Sequence, residues 1–277
     1  MKFSHPLPRA IFGAAMVGST MAVVQFATPV AKAADIRDIA KEITVRIDGP
    51  VNGQGVSDPV HGMVGLYLGI PMNTFEPLQA RGSLLANIER AEAFFEQGKK
   101  HLYEQDYESA IEDFNQAIRL NPNYSQAYNG RGLAYHNQGD YRRAIGDYNQ
   151  AIRLNPEYAI AYTNRGFAYS GQGDYERAIG DYTEAIRLNP DFAIAYNNRG
   201  LAYHNQGDLD GAIADYNEVI RLNPEYAYPY YNRGLLYQKQ ENNRQALADF
   251  RKAADLFQQE GNQEWYQNAL EKIEELE

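Results

Sequence analysis

The chain contains no cysteine and only one tryptophan among its 277 residues. The absence of cysteine excludes a disulfide framework, a thiol nucleophile and a cysteine-ligated metal site. Basic residues are also scarce, with 26 lysines and arginines against 36 acidic residues and a formal net charge of −10. Because such a charge repels polyanions, nucleic acid and anionic membrane surfaces are poor candidate partners.

The common catalytic signatures are missing as well. The sequence has no phosphate-binding glycine loop, no G-x-S-x-G nucleophile turn and no H-E-x-x-H metal motif. We therefore predict a protein that is not an enzyme and that needs no cofactor and no metal.

Residues 1–33 have the features of an export signal. Lys2 and Arg9 precede an apolar stretch of small residues from Ala10 to Val30, and Ala31-Lys32-Ala33 supplies a small–x–small cleavage pattern. The alternative is a membrane anchor, but glycine, serine, threonine, glutamine and proline make this a poor spanning helix. Cleavage removes three basic residues and lowers the net charge to −13. We expect an exported protein of the periplasm, thylakoid lumen or extracellular space, without stable membrane insertion.

A 34-residue period dominates the rest of the chain. The segment GDYERAIGDYTEAIRLNP from Gly173 to Pro190 has close copies 34 residues before and after it. Cuts at 91, 125, 159, 193 and 227 give five gapless units, 91–124, 125–158, 159–192, 193–226 and 227–260. Such self-similarity is the signature of a repeat architecture.

Each unit reads as two short amphipathic helices. In the third unit, Tyr162, Gly166 and Tyr169 mark one helical stripe, and a second stripe follows with the same spacing. Gly173 suits the left-handed residue that ends the first helix, and Asp174 suits the cap of the second. The sequence Asn189-Pro190 predicts the end of the second helix.

The recurring pattern Tyr–x3–Gly–x2–Tyr, Ala–x3–Tyr–x2–Ala, Pro resembles the tetratricopeptide repeat (TPR). The second unit carries it as Tyr128, Gly132, Tyr135, Ala144, Tyr148, Ala151 and Pro156. The first unit departs with His101 at the second aromatic position, and the fifth has Gln258 in place of proline, as terminal repeats often do. The resemblance implies an all-α, right-handed solenoid over residues 83–277, closed by a capping helix at 262–276.

Residues 34–82 differ in kind, because Glu42–Ile47 and Met63–Ile70 alternate like strands around a turn-rich stretch. They resemble the first and last strands of the exported trypsin-like serine proteases that cyanobacteria fuse to TPR arrays. Too few residues separate them for a protease domain, and His61 and Ser57 have no triad partner. We predict a short β-hairpin-like segment, either a vestige of such a protease or an unrelated hairpin.

The resemblance also implies a concave groove lined by the first helix of each unit, which in this family holds peptides or partner proteins. Projected onto this chain, the predicted groove consists of Asn129, Leu133, His136, Thr163, Asn164, Phe167, Asn197, Asn198, Leu201, His204, Tyr231, Asn232 and Leu235. Asn164, Asn198 and Asn232 recur one unit apart and form a possible ladder for binding peptide main chain. Alternatively, these asparagines are solvated or hold neighbouring helices together. His136 and His204 stand two units apart, too far to share a metal ion, and are interpreted as groove-surface residues.

Four arginines recur 16 residues before an aspartate, as in Arg165 and Asp181, and only the first unit breaks the pattern, with Gln97 before Asp113. We interpret these pairs as bidentate links between the two helices of a unit, with ligand binding as the alternative.

The leading functional hypothesis is an exported scaffold that binds a protein or peptide. The alternatives are a docking subunit or inactive relic of a trypsin-like protease and a binder of envelope polysaccharide. The sequence does not identify the partner or the oligomeric state.

Overall fold

The computed structural model describes the backbone of residues 75–277 and the side chains from residue 86 onward. The predicted signal segment 1–33 and the predicted strands of residues 42–70 lie outside the described residues. The chain divides into two compact units, Met1–Asn87 and Ile88–Glu277.

Residues 75–277 form eleven helices and contain no strand. Their bounds are α1 Phe75–Tyr103, α2 Tyr107–Leu120, α3 Ser125–Asn137, α4 Tyr141–Leu154, α5 Ala159–Gly171, α6 Tyr175–Leu188, α7 Ala193–Gln206, α8 Leu209–Leu222, α9 Ala227–Lys239, α10 Asn243–Gln259 and α11 Gln263–Glu274. Each helix packs against the next along the chain from α2 onward, which gives an all-α solenoid. Helix α1 begins eight residues before the start of the helical domain that the sequence predicted at residue 83.

The turn inside each helix pair follows the predicted chemistry. Gly173 has a φ of 80°, and the side chain of Asp174 accepts a hydrogen bond from the backbone N–H of Arg177 at 3.2 Å. In the first and last pairs, Gln105 and Glu241 occupy the glycine position with φ of 62° and 61°. These two turns are strained, because residues with a Cβ disfavour left-handed backbone.

Proline sets the length of the second helices. Helix α6 ends at Leu188, directly before Asn189 and Pro190, as predicted. Where the proline is replaced by Gln258, helix α10 continues to Gln259 and reaches 17 residues instead of 14. Helix α11 then begins after Asn262, whose side chain caps it. It buries Trp265 and Ala269, two residues of the apolar stripe in the predicted capping helix.

The two helices of a pair cross at a glycine that faces an aromatic ring. A Cβ on Gly166 would lie 2.9 Å from Cε1 of Tyr182 and 3.1 Å from the carbonyl oxygen of Ala178. Gly132 faces Tyr148 in the same way, at 2.7 Å. These tyrosine side chains are fully buried, so the ring fills the space that a larger residue would need.

The predicted arginine–aspartate pairs are confirmed. Arg165 donates from Nε and Nη2 to the two carboxylate oxygens of Asp181 at 2.8 and 2.6 Å. The same bidentate pair forms in three other units, Arg131–Asp147, Arg199–Asp215 and Arg233–Asp249. The hydrogen bonds to Asp181 raise the pKa of Arg165, so the guanidinium keeps its charge. The pairs therefore join the two helices of each unit.

Each of these arginines also reaches the preceding pair. Nη1 of Arg165 donates to Oδ1 of Asn149 at 2.7 Å, and the equivalent residues Asn115, Thr183 and Asn217 accept from the other three arginines. In the first unit, Nδ1 of His101 lies 2.8 Å from the Asp113 carboxylate and replaces the missing arginine. The sequence showed that the arginine was absent, but not that His101, one turn later, takes its place.

We predict opposite effects for two Gly→Ala substitutions in the same helix pair. Gly166→Ala forces a Cβ into the Tyr182 ring and should destabilise the protein by about 1–3 kcal/mol. Gly180 is exposed in the middle of α6, and a Cβ there would meet nothing within 4 Å. Gly180→Ala should therefore stabilise the protein by about 0.5–1 kcal/mol. Urea unfolding followed by circular dichroism measures both, and a loss of stability in Gly180→Ala would contradict the prediction.

Candidate functional site

The first helices of the pairs lie on the inner side of the solenoid. Helix α3 contacts α5, and α5 contacts α7, whereas successive second helices do not contact each other to the same extent. An array whose first helices lie closer together curves toward them. The predicted groove residues all belong to α3, α5, α7 and α9, and we call this set the inner face.

The inner face carries no fixed charge. None of its thirteen members is a lysine, arginine, aspartate or glutamate, although charged residues make up 22% of the chain. The face presents apolar, aromatic, imidazole, hydroxyl and amide groups instead. These thirteen side chains can therefore contact a ligand through shape and hydrogen bonds, and the charge of Lys239, which lies near His204, is not among them.

Part of the inner face is closed by contacts between α3 and α5. Nδ2 of Asn164 donates to Oδ1 of Asn129 at 3.0 Å, and the two residues are only 3% and 2% exposed. Thr163 is equally buried, and its hydroxyl donates to the carbonyl oxygen of Ala159 at 3.1 Å. Asn129 and Asn164 therefore join α3 to α5, and none of these three predicted groove residues is accessible on the surface.

The stacked rings of His136 on α3 and Phe167 on α5 also cover the inner face between these two helices. The His136 ring stacks on Phe167 with centroids 4.6 Å apart and meets the edge of Tyr141 at 5.0 Å. Nδ1 of His136 is buried and has no hydrogen-bond partner in the described part of the chain. Because burial disfavours the charged imidazolium, the pKa of His136 falls to about 4. His136 is thus a neutral packing residue at physiological pH. The sequence placed it on the surface of the groove, whereas the structure buries its ring between neighbouring helices.

The last helix covers the other end of the inner face. Tyr231 is 3% exposed and packs against Phe250 and Trp265, with ring centroids 5.5 and 5.3 Å away. Gln238 donates to Glu275 of the chain terminus at 3.3 Å. The sequence assigned Trp265 to a capping stripe but did not show that this stripe removes Tyr231 from the groove.

The remaining predicted residues are partly exposed. They comprise four apolar or aromatic side chains at one repeated position and four polar ones, namely Leu133, Phe167, Leu201, Leu235, Asn197, Asn198, His204 and Asn232. Nδ2 of Asn197 donates to Oδ1 of Asn198 at 3.4 Å. Burial and the nearby Lys239 lower the pKa of His204, so this side chain is also mostly neutral at pH 7. The accessible inner face is therefore a row of apolar side chains bordered by amides.

The described part of the chain offers no other obvious chemistry. No group of three histidine, aspartate or glutamate side chains within it is placed to hold a metal ion. Its helices also include none with the length and apolar character needed to span a membrane.

Family models identify the repeats. Two models described as tetratricopeptide repeat match residues 163–227 and 227–260, and one described as TPR repeat matches residues 91–139 and 132–173. Together they cover every residue from 91 to 260, more than half of the chain and the same span that the sequence period defines. The chain is a tetratricopeptide repeat protein.

Solved structures show the same fold. The crystal structure of MamA is 27% identical, with a TM-score of 0.56, and the match covers 60% of this chain and 96% of MamA. YrrB, described as a TPR protein with an unusual peptide-binding site, is 23% identical with a TM-score of 0.53, covering 64% of this chain and 90% of YrrB. Pseudomonas aeruginosa pilF is 17% identical with a TM-score of 0.58, covering 69% and 93%. No curated protein matches the sequence significantly.

The lowered pKa of His136 predicts a loss of stability in acid. The unfolded histidine binds a proton below its ordinary pKa of 6.5, whereas the folded one does so only near pH 4. The contribution of His136 to the free energy of unfolding is therefore fully present above about pH 6.5. It is lost as the pH drops toward 4, and the loss is about 2 kcal/mol at pH 4.5. His136→Phe keeps an aromatic ring beside Phe167 but does not titrate.

Urea unfolding of the wild type and His136→Phe at pH 7.5 and about pH 4.5 isolates this contribution, because every other titrating group is common to both proteins. The wild type should lose more stability than the variant. An equal loss in the two proteins would show that His136 is not the group responsible.

Proposed function

We propose that this protein is an exported, non-catalytic scaffold that binds an extended segment of a partner protein on its inner face. The observation that carries this function is the partly exposed row of Leu133, Phe167, Leu201 and Leu235, one side chain per helix pair, among predicted groove residues that carry no fixed charge. Four evenly repeated apolar contacts suit a ligand that runs along the solenoid axis. Membership of the TPR proteins and the peptide-binding site named for YrrB support the same assignment.

The absence of charge defines how the partner is recognised. A bound carboxylate or ammonium would lose water without gaining an opposite charge. The partner segment is therefore largely uncharged, and amides bordering the apolar row supply hydrogen bonds to its main chain. Selectivity for particular side chains is modest, because main-chain groups are the same in every sequence.

Selection from a library of random, unstructured peptides displayed on phage tests this function. Selected peptides should be depleted in charged residues, and their affinity should change less than about threefold between roughly 0.05 and 0.5 M salt, since no ion pair forms. Leu201→Lys places a charge in the apolar row and should weaken binding at least about tenfold. Failure to select any peptide would contradict the proposed function.

Ala214→Lys is the matched control for Leu201→Lys. Ala214 is exposed on α8, the second helix of the same pair, and lies outside the inner face. It adds the same charge and should leave the affinity unchanged. Equal loss of binding in the two variants would place the ligand elsewhere on the solenoid.

The export part of the proposal rests on the leader-like residues 1–33. Mass spectrometry of the protein recovered from cells with a signal peptidase should find Ala34 at the N-terminus. Ala33→Phe removes the small residue required next to the cleavage point and should leave the precursor intact. Recovery of wild-type protein that still begins at Met1 would contradict export by cleavage.

A further inference from the structure

A cluster of three rings lies at the boundary between the second unit, 125–158, and the third, 159–192. Its members are His136 on α3, Tyr141 on α4 and Phe167 on α5, and we call them the ring cluster. We infer that the ring cluster is an acid-sensitive contact: when His136 binds a proton, the rings separate and the boundary opens at that end. The opening is a property of the fold alone, whereas its effect on a ligand rests on the proposed function.

The ring cluster joins the ends of α3 and α5 that lead into the turns of their helix pairs. The His136 ring stacks on Phe167 at a centroid distance of 4.6 Å and an interplanar angle of 18°. It also meets the edge of the Tyr141 ring at 5.0 Å. Tyr141 in turn lies against the last residue of α5, because a Cβ on Gly171 would be only 2.8 Å from Cζ of its ring. His136 is therefore enclosed between the two units.

The cluster accommodates a neutral imidazole but not a charged one. Nδ1 of His136 is buried and has no hydrogen-bond partner within residues 86–277. In the imidazolium both ring nitrogens are donors, so the N–H group at Nδ1 would be buried without an acceptor in a positively charged ring. Because a buried, unpaired charge is costly, the protonated ring is stable only after it leaves the stack for water. The pKa of about 4, which burial imposes on His136, agrees with this conclusion.

No charged neighbour offsets the cost of a proton on His136. Burial lowers its pKa without a contribution from a carboxylate or a cation. The helices packed against α3 are α2, α4 and α5, and Tyr141 of α4 is the titratable residue whose ring meets His136. Every charged side chain of these three helices either is exposed or binds another residue. The bound ones include Glu108 with Gln138, Asp113 with His101, Arg143 with Asp140, Asp147 with Arg131 and Arg165 with Asp181.

The other unit boundaries lack this cluster. The same three positions hold Leu102, Tyr107 and Leu133 between the first and second units, Ser170, Tyr175 and Leu201 between the third and fourth, and His204, Leu209 and Leu235 between the fourth and fifth. Leu102 is 7% exposed, so an aliphatic side chain packs into the interior at the position of His136. Packing alone therefore does not require a buried histidine. One boundary of the four combines a histidine with two further rings.

The rest of this boundary determines how far it opens. Near the starts of α3 and α5, the two units are joined by an apolar group that comprises Tyr128, Ala151, Ile152, Tyr158, Ile160 and Ala161. None of these side chains changes its charge between about pH 7 and pH 4. The apolar group therefore stays packed in acid and acts as the hinge, while the ends of α3 and α5 that carry the ring cluster move apart.

Each helix pair stays folded during this opening. The arginine–aspartate pairs and the glycine crossings join helices of one unit, and none of them involves His136. In a repeat array each unit contacts only its neighbours, so one boundary can open without unfolding the others. The surface that becomes exposed includes Ala168 of α5, which is fully buried against Ala144 and Tyr148 of α4 in the closed form.

Opening alters the part of the inner face that carries Leu133 and Phe167. It uncovers the side of the Phe167 ring on which His136 stacks, and it places a positive charge beside that ring. A segment bound across Leu133 and Phe167 requires a fixed separation of the two side chains, so the closed boundary binds it more tightly. By linkage, acid weakens the binding of such a ligand, and the bound ligand keeps the boundary closed to a lower pH.

The absence of cysteine from the chain allows a direct test, because an introduced thiol is the only one present. Ala168→Cys places a thiol at the boundary that opens. Ala202→Cys is the matched control, since Ala202 is the equivalent residue one unit later and is 1% exposed. The rate of reaction with 4,4′-dithiodipyridine, which reacts with thiols in acid, is measured at about pH 7.5 and about pH 4.5. Each rate is divided by that of the same protein unfolded in urea at the same pH.

The corrected rate for Ala168→Cys should rise at least about thirtyfold at the lower pH, because an exposed histidine gains its proton near pH 6.5 and the stacked one only near pH 4. The rate for Ala202→Cys should change less than about threefold. Adding His136→Phe to Ala168→Cys should abolish the rise, since phenylalanine does not titrate. Equal rises at residues 168 and 202, or the same rise with His136→Phe, would overturn the inference.

A measurement on the wild type remains informative if Ala168→Cys folds poorly. In nuclear magnetic resonance spectra recorded across the acid range, the ring signals of Phe167 should shift with the same midpoint as the His136 ring signals. The methyl signals of Leu235, which lies two units away, should not follow that midpoint. Titration of His136 without any change at Phe167 would show that the stack does not separate.

The effect on a ligand is measured separately, with a peptide selected from the random library. Fluorescence anisotropy gives the Kd for the wild type and for His136→Phe at the same two pH values. The Kd of the wild type should increase at least about fivefold more than that of the variant at the lower pH. An equal change in the two proteins would remove the effect on the ligand. If no peptide binds at about pH 7.5, the proposed function fails, while the thiol measurement still decides whether the boundary opens.

Discussion

The solenoid depends on how closely the two helices of a pair can approach. At Gly132, Gly166 and Gly234, the first helix presents only backbone to an aromatic ring of the second, and a Cβ would lie less than 3.0 Å from that ring. This contact sets the separation of the helices, and the separation in turn places each arginine within reach of its aspartate. A side chain at these glycine positions would push the two helices apart. Neither the buried ring nor the bidentate pair could then form.

The arginine–aspartate pairs then connect the units into one array. Each guanidinium contacts its own second helix through the carboxylate and the preceding second helix through Nη1. Removing one partner would leave a mostly buried charge without compensation, which is costly. The guanidinium also lies near tyrosine rings, as Arg165 lies 5.5 Å from the centre of Tyr162. Each of these arginines stands on a first helix, but its guanidinium is bound by carboxylate, amide or hydroxyl groups of second helices.

The repeat pattern was sufficient to predict this fold, because each helix start, end and crossing depends on one local residue. The capping role of Asp174 and the crossing at Gly166 were predictable from spacing alone. The state of the groove residues was not. Asn164 is buried by a hydrogen bond to Asn129, 35 residues earlier on a neighbouring helix, and a local pattern does not contain that contact. The replacement of arginine by His101 was missed for the same reason.

Repetition explains why one part of the inner face can be structural and another part accessible. Every unit preserves the residues that build a helix pair, so single differences at the positions between pairs decide the surface. Threonine replaces asparagine at residue 163 and makes its hydrogen bond within its own helix, and serine and leucine at residues 170 and 201 replace the stacked rings of His136 and Phe167. The repeats therefore specify the frame, and a few departures from the repeat change which side-chain contacts form on the inner face.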